Sequence, residues 1–570
     1  MTPVVSREST PERSPVPVPS RPQSTSAPLK SGEDLQSGED LQSGKNLKSG
    51  DDLRPSLPVR TPVSVLAAAA GARIEASAGG AAEVVVTGVD LRAQAIAQGD
   101  LFAALPGARA HGAEFAADAV ARGAVAILTD EAGFDIVSGL EADVPVLVHH
   151  DPRGVLGEMS ATIYGRPSER MQVIGITGTS GKTTTSYLVE GALTAAGRTT
   201  GLLGTIETRM KGRRVPSALT TPEAPQLHAL FAVMLEQGVD TVVMEVSSHA
   251  LALGRVDGVR FDVGAFTNLS QDHLDFHRDF EDYFAAKARL FSAESSVHAP
   301  RAVICVDDVW GQRMAEVAAD AGSVVSTVAT GTGPVEAGWA AGPPTVSPSG
   351  SQTFSLITPD GTSLEVLLQL PGRYNVANAS VAVALSASLG VDPLVAVKGI
   401  AEVDVPGRVQ RIDRGQDFLA VVDYAHKPAA LEAVIATLRS QVSGRVAVVV
   451  GAGGDRDAGK RPLMGSAAAR GADLLIITDD NPRTEDPATI RAAVREGALA
   501  VPESERGEVR EVGDRARAIT EAVSWAQAGD VVLVAGKGHE SGQEISGVKH
   551  PFDDREVLGE AIEQVIGGSK

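Results

Sequence analysis

The sequence predicts an α/β protein of three domains behind a disordered N-terminal tail. One observation is a strand, a glycine turn and a helix in direct succession over residues 173–193. A second is a series of short apolar strands that alternate with helical stretches and end in polar, glycine-rich or charged groups, the pattern of mostly parallel sheets. The third is size, since 570 residues with 43% apolar side chains exceed what one core organises. Lysine and arginine number 51 against 72 acids, a net charge of −21, so the basic footprint of general nucleic-acid binding is missing. The single cysteine, Cys305, excludes an intrachain disulfide and fits a reducing compartment. There is no apolar run of membrane-spanning length and no charged-then-apolar leader. A cytoplasmic monomer without membrane insertion is expected.

Residues 1–62 are rich in Pro, Ser and charge and poor in large apolar groups, so burial cannot offset chain entropy. A six-residue unit, Ser31-Gly32-Glu33-Asp34-Leu35-Gln36, recurs from Ser37 and, in degenerate form, from Ser43 and Ser49. It is too short and polar for a solenoid repeat. It reads as a solvated spacer, with a docking peptide anchored on its leucines as the alternative.

A small α/β domain is expected over 63–168, with strands at 83–87, 99–105, 124–128 and 144–148 and a helix over 113–122. The central domain, 169–404, carries the strand–turn–helix unit. Its loop is Gly178-Thr179-Ser180-Gly181-Lys182-Thr183-Thr184. Glycines let the backbone aim N–H groups inward, and the following helix adds its positive end. Lys182 suits the outer phosphates of a nucleoside triphosphate and the Thr183 hydroxyl suits Mg²⁺. The run 241–244 ends in Glu245, placing a carboxylate at a sheet edge as a Mg²⁺ oxygen ligand. The densest polar cluster, residues 266–277, follows another strand and contains Asn268, Asp272, His273, Asp275 and His277, types suited to metal and phosphate work. Thr220 and Thr221 precede Pro222, where a helix N-cap is the plain reading. Asn375 and Asn378 lie one turn apart on a helix and can reach one ligand.

The last domain, 405–570, follows a hinge near residues 404–408 and reads as a Rossmann-like sheet. Its strand candidates end in Asp423-Tyr424-Ala425-His426-Lys427-Pro428, in Gly451-Ala452-Gly453-Gly454-Asp455-Arg456, in Asp479-Asp480-Asn481-Pro482-Arg483 and in Gly536-Lys537-Gly538-His539-Glu540. Four such ends together describe one ligand edge.

The loop departs from the general phosphate-loop spacing, with Ile176 where a glycine is usual, and resembles the G-T-x-G-K-T form of the Mur ligases. The segment Asn268-Leu269-Ser270-Gln271-Asp272-His273-Leu274-Asp275-Phe276-His277 closely matches that family's N-L-x-x-D-H-L-D-x-H signature. The resemblance runs from about residue 63 to the end, and folylpolyglutamate synthases share the superfamily. It implies ATP- and Mg²⁺-dependent amide-bond formation on UDP-MurNAc-L-Ala-D-Glu through an acyl phosphate, with meso-diaminopimelate as the amino acid. L-lysine addition and a folylpolyglutamate-type ligase are the alternatives. It implies that His273 binds Mg²⁺ and that Lys287 is carboxylated by CO₂ to a carbamate that helps hold the metal. The ATP set then comprises residues 178–184, Asn375, Asn378, Arg408, Asp423 and His426. For the UDP-linked substrate it implies Leu91, Ala93, Ala108, Arg109, Ala110, Thr220, Thr221, Ser247 and Arg255. Ala93 stands where the family has serine, and Leu253 where glutamine is common. For diaminopimelate it implies Arg456, Asp480, Asn481, Pro482, Arg483, Gly536 and Glu540. Diaminopimelate carries one carboxylate more than lysine, and the Arg483 guanidinium can bind it bidentately.

Overall fold

A computed structural model describes residues 53–75, 84–107, 109–140, 144–215, 219–274, 276–331, 337–347 and 351–568. Ala108, Asp275 and the repeats before Leu53 lie outside them.

The leading domain has a five-stranded sheet in the order Arg73–Glu75, Val146–Val148, Ala124–Thr129, Asp100–Ala103, Gly88–Asp90. Its first pair is antiparallel and the others parallel. The helix expected over 113–122 is a 3-10 turn, Gly112–Phe115, followed by an α-helix, Ala116–Arg122. The reason is local: His111 accepts from the Ala113 N–H and Glu114 caps back onto the His111 N–H, tightening the first turn. The strand expected over 83–87 is instead two short ones, Val85–Val86 and Gly88–Asp90. The disorder expected through residue 62 does not extend over 53–62. Thr61–Pro62 pairs with Val85–Val86, and Arg54, Ser56 and Leu57 make hydrogen bonds to the body.

The central sheet has twelve strands. Its parallel middle runs Thr200–Leu203, Thr241–Glu245, Gln172–Thr177, Val263–Phe266, Arg301–Cys305, Val324–Ala329. Antiparallel strands extend both ends. Apolar clusters cover both faces, which is why the middle strands read as continuous apolar runs rather than alternating ones. Cys305 is buried in one of them, and burial pushes its thiol up to about 12.

The last domain has a six-stranded sheet, Gln410–Arg411, Leu419–Asp423, Val531–Ala535, Val446–Val450, Leu474–Ile477, Glu508–Glu511, parallel except for the first strand. Its carboxyl ends therefore share one edge. The final helix, Asp554–Gly568, is fastened beneath that edge by a fully buried ion pair. Arg515 Nε and Nη2 donate to the Asp554 carboxylate at 2.7 Å each, and Arg515 also donates to the carbonyls of Asp479 and Ala535. Among the described residues no helix is long and apolar enough to cross a membrane.

His228 on the helix Ala224–Glu236 is fully buried, with Nε2 3.0 Å from the Asp257 carbonyl. A carbonyl only accepts, so Nε2 carries the proton and the ring is neutral. Burial lowers its pKa to about 4. The unfolded chain therefore binds the extra proton first as pH falls. Stability is unaffected above about pH 6.5 and should fall by roughly 3 kcal/mol between pH 6.5 and 4. Urea denaturation across that window should show this slope, flattened in His228→Gln.

Candidate active site

The strand Gln172–Thr177 ends in the phosphate loop, and the helix Lys182–Ala195 starts from Gly181 with no side chain capping it. Its first N–H groups are left for an anion. Gly178 has φ +142°, and a side chain there would run into Thr267 Oγ1. The loop is braced from the neighbouring strand end. Thr179 N donates to the Asn268 carbonyl, Ser180 N donates to Asn268 Oδ1, and Thr179 Oγ1 lies 3.1 Å from the Tyr283 hydroxyl.

Two lysines converge on this loop. Lys182 Nζ donates to the carbonyls of Gly178 at 2.9 Å and Thr179 at 3.1 Å. Lys287 Nζ, from the helix Phe280–Ala288, donates to the same Gly178 carbonyl at 2.8 Å and sits 4.4 Å from the centroid of the Tyr283 ring. Burial lowers Lys182 to about 8. Burial first, and then the charges of Lys182 and Lys427, hold Lys287 well below the usual ammonium range. The 287 amine is thereby biased to the neutral form that reacts with CO₂.

Glu245 is almost completely buried at the end of its strand. It accepts from Thr183 Oγ1 at 3.1 Å, Thr205 N at 2.7 Å and Thr205 Oγ1 at 3.0 Å. A buried carboxylate beside the loop hydroxyl is a donor set that fits Mg²⁺. Among the described residues no group of three or more His, Cys, Asp or Glu forms a metal cage, and Mg²⁺ needs none because it keeps several waters. Thr184 is buried in the first turn of the helix. Thr221 Oγ1 donates to the Glu245 carbonyl, Thr220 Oγ1 lies 3.2 Å from Thr205 Oγ1, and Arg255 pairs with Glu223 at 2.8 Å. Ser247 caps the helix Ser248–Ala252 by accepting from Ala250 N.

His273 has φ +54° and stands edge-on to His249, with Nε2 3.0 Å from Asp272 Oδ2. Burial lowers it to about 4, a neutral ring suited to a metal. Asp272 also binds Lys427 of the last domain at 2.5 Å. Burial opposes its charged form, but Lys427 and His273 win, and its carboxyl lies far below the usual range.

Asn378 Nδ2 donates to Asn375 Oδ1, Asn375 Nδ2 donates to the Pro371 carbonyl, and Thr185 Oγ1 donates to Asn378 Oδ1. In this state both amides brace the helix Arg373–Ser388 against the loop helix rather than standing open to one ligand. Arg408 Nη2 crosses from the last domain and donates to Thr183 Oγ1 at 3.2 Å. Its guanidinium stacks over Tyr424, 4.5 Å from the ring centroid. Buried Asp423 accepts from Val409 N and Ala425 N, while the His426 ring bonds the Tyr424 carbonyl.

A second cluster lies along the last sheet's edge. Asn481 Nδ2 donates to Glu540 Oε2 at 2.8 Å, and fully buried Lys537 donates to both side chains at 3.1 and 3.2 Å. Gly536 abuts the Asp480 carboxylate. Arg483, next to Pro482, has φ +53°, held by its N–H to the Glu544 carbonyl and its carbonyl to Ser546 N. Its Nη1 donates to the Gly454 carbonyl at 2.5 Å. Arg456 is exposed on the adjacent loop. Tyr424 and His539, with ring centroids 5.1 Å apart, lie between the clusters. In the leading domain, Leu91 and Ala93 follow one strand while Arg109 and Ala110 follow its parallel neighbour, so both groups sit at the same sheet edge. Ala108 is outside the described residues.

Sequence reasoning missed Thr205, Tyr283, Tyr424, Lys427 and Lys537. Lys427 and Lys537 stand inside motifs already singled out, and their burial is what the sequence withheld. Thr205 follows a short strand with no polar signature.

The fold and site define an ATP-dependent, ADP-forming ligase. Three family models match: the Mur ligase family catalytic domain at 85–164, the Mur ligase middle domain at 176–386, and the Mur ligase glutamate ligase domain at 407–538. A Corynebacterium glutamicum protein named UDP-N-acetylmuramoyl-L-alanyl-D-glutamate--2,6-diaminopimelate ligase is 56% identical over 85% of this chain and 93% of its own length. A Streptomyces coelicolor protein of the same name is 50% identical over 90% and 99%. A solved structure carrying that ligase name is 34% identical over 86% of this chain and 97% of its own, with a TM-score of 0.61. The chain belongs to the Mur ligase family.

The Asp272–Lys427 ion pair joins two domains at side-chain exposures of 17% and 14%, so it outweighs a surface pair. Lys427→Ala should lower kcat about tenfold by loosening the contact between the two domains, and Lys427→Arg should keep most of it. Steady-state phosphate release measures both.

Proposed function

We propose that the chain joins meso-diaminopimelate to the D-Glu side chain of UDP-MurNAc-L-Ala-D-Glu, in the synthesis of peptidoglycan precursors. The names of its relatives support the substrate pair. The single observation that carries the amino-acid choice is Arg483, locked in a left-handed conformation beside the Asn481–Lys537–Glu540 network. A guanidinium answers the second carboxylate of diaminopimelate, and Glu540 answers an ammonium. L-lysine would offer Arg483 no carboxylate, leaving it only the Gly454 carbonyl and Glu544.

The D-Glu carboxylate attacks the γ-phosphoryl group of ATP, ADP leaves, and an acyl phosphate forms. The diaminopimelate amine then attacks the acyl carbon, expels phosphate and loses a proton to give the amide. Lys182 and the loop N–H groups bear the phosphoryl charge, and Arg408 adds a cation from the opposite domain. Thr183, Glu245, His273 and, once carboxylated, Lys287 would hold Mg²⁺, which would neutralise charge on the transferred group. Thr220, Thr221, Ser247 and Arg255 receive the peptide end of the substrate, and the Leu91–Ala93 and Arg109–Ala110 edge receives uridine. Asn375, Asn378, Asp423 and His426 border the nucleotide. Domains at 63–168, 169–404 and 405–570, a cytoplasmic location and a monomeric state complete the reading.

Phosphate release with ATP, Mg²⁺ and the UDP-linked dipeptide should be strong with meso-diaminopimelate and weak with L-lysine. Arg483→Ala should cost about 10²-fold or more in kcat/KM for diaminopimelate. Strong release with lysine instead would overturn the amino-acid assignment. Lys287→Met should lose about 10²-fold or more in kcat, and CO₂ depletion should slow the parent enzyme but not the variant.

A further inference from the structure

The last degenerate copy of the repeat, beginning at Ser49, ends in Leu53 and Arg54, and it ends docked. Leu53 packs on the central apolar cluster. Arg54 Nη1 donates to Asp100 Oδ1 at 2.6 Å and Nη2 to the Ala95 carbonyl at 3.0 Å. Asp100 is 1% exposed, and its other oxygen accepts from Ala97 N at 2.8 Å. Both contacts therefore hold the carboxyl-terminal end of the 3-10 turn Ala93–Ala95 and the residues just after it. A side chain at position 88 would run into Asp100 Oδ1 and Arg54 Nη1, so Gly88 makes room for it. Two residues on, Ser56 N and Oγ and Leu57 N all donate to the Glu236 carboxylate, at 2.9, 3.1 and 2.8 Å. Glu236 ends a helix of the central domain, where an acid is disfavoured by the helix dipole. These donors give it partners there. From the other side Gln226 of the same helix donates to Asp90 Oδ2, next to Leu91.

We propose that residues 53–57 form a positioning arm for the UDP-linked substrate: Arg54, through Asp100 and the Ala95 carbonyl, sets the Ala93–Ala95 turn that follows Leu91, and the Glu236 contacts of Ser56 and Leu57 tie the arm to the central domain. This rests on the reading that this turn and Arg109 receive uridine. With alanine at 93 there is no hydroxyl to orient a base, so the backbone of the turn must hold its position itself. Arg54 is a positioning residue that touches no reacting atom. Asp100 without it is a buried carboxylate lacking its counter-charge.

The test uses the full chain, with steady-state kinetics in all three substrates and calorimetric titration with UDP. Arg54→Ala should raise KM for the UDP-linked dipeptide and the Kd for UDP about tenfold, with kcat and the ATP KM within about twofold. Arg54→Lys keeps the charge beside Asp100 and should fall between, and Arg54→Ala with Asp100→Asn should recover part of the loss. The exposed Arg109→Ala is the control. Should Arg109→Ala weaken UDP while Arg54→Ala and Arg54→Lys do not, the arm has no positioning role. Should neither position change UDP affinity, the uridine reading itself falls. A drop in kcat equal to the change in kcat/KM for every substrate would also overturn the proposal, since it marks general loss of structure.

Discussion

Two lysine amino groups share one carbonyl oxygen, that of Gly178, at 2.9 and 2.8 Å. Lys287 is buried and Lys182 partly so, and the repulsion of two positive charges there would be incompletely screened. One way to relieve it is to neutralise an amine; the other is to bring in an anion. The loop offers the second through its uncapped helix start, and Lys287 expresses the first through its depressed pKa. Nearby residues follow from this strain. Glu245 and Asp272 supply negative charge close by, and Tyr283 gives Lys287 an aromatic face. The carbonyl can lie there because Gly178 adopts a backbone angle closed to other residues.

That tension is spread over two sheets. The central domain contributes the loop, Glu245 and Asp272, while Arg408 and Lys427 arrive from the domain that also holds Arg483 and Glu540. Cations from one sheet edge thus meet acceptors on another. Stacked on Arg408, Tyr424 stands between the phosphate cluster and the Asn481–Glu540 cluster.

Much of this was legible in the sequence because parallel strands bring their carboxyl ends together. A run such as 241–244 followed by Glu245, or 172–177 followed by glycines, marks a ligand edge by itself. The fold class and the family followed from these signals in order. Burial of a cation within a motif was harder to see: Lys427 and Lys537 look like solvated lysines until their partners from distant segments are in place. The helical spacing of Asn375 and Asn378 likewise did not show that Asn378 donates to Asn375 while Pro371 and Thr185 take their remaining bonds. Arg54 was invisible for a third reason. It ends a low-complexity repeat whose composition argues for disorder, and its buried partner lies 46 residues away.

The ion pair between Arg515 and Asp554 ties the last helix to the carbonyls of Asp479 and Ala535, the residues just before Asp480 and Gly536. The helix Asp554–Gly568 therefore serves as a keel for the edge where the amino acid is proposed to bind. Clipping by a carboxypeptidase past the end of that helix should be harmless. A cut that removes Asp554 would strand a buried guanidinium beneath the carbonyls of Asp479 and Ala535 and strip Leu558, Ala561 and Ile562 from the core, so the edge carrying Asp480 and Gly536 would lose its support.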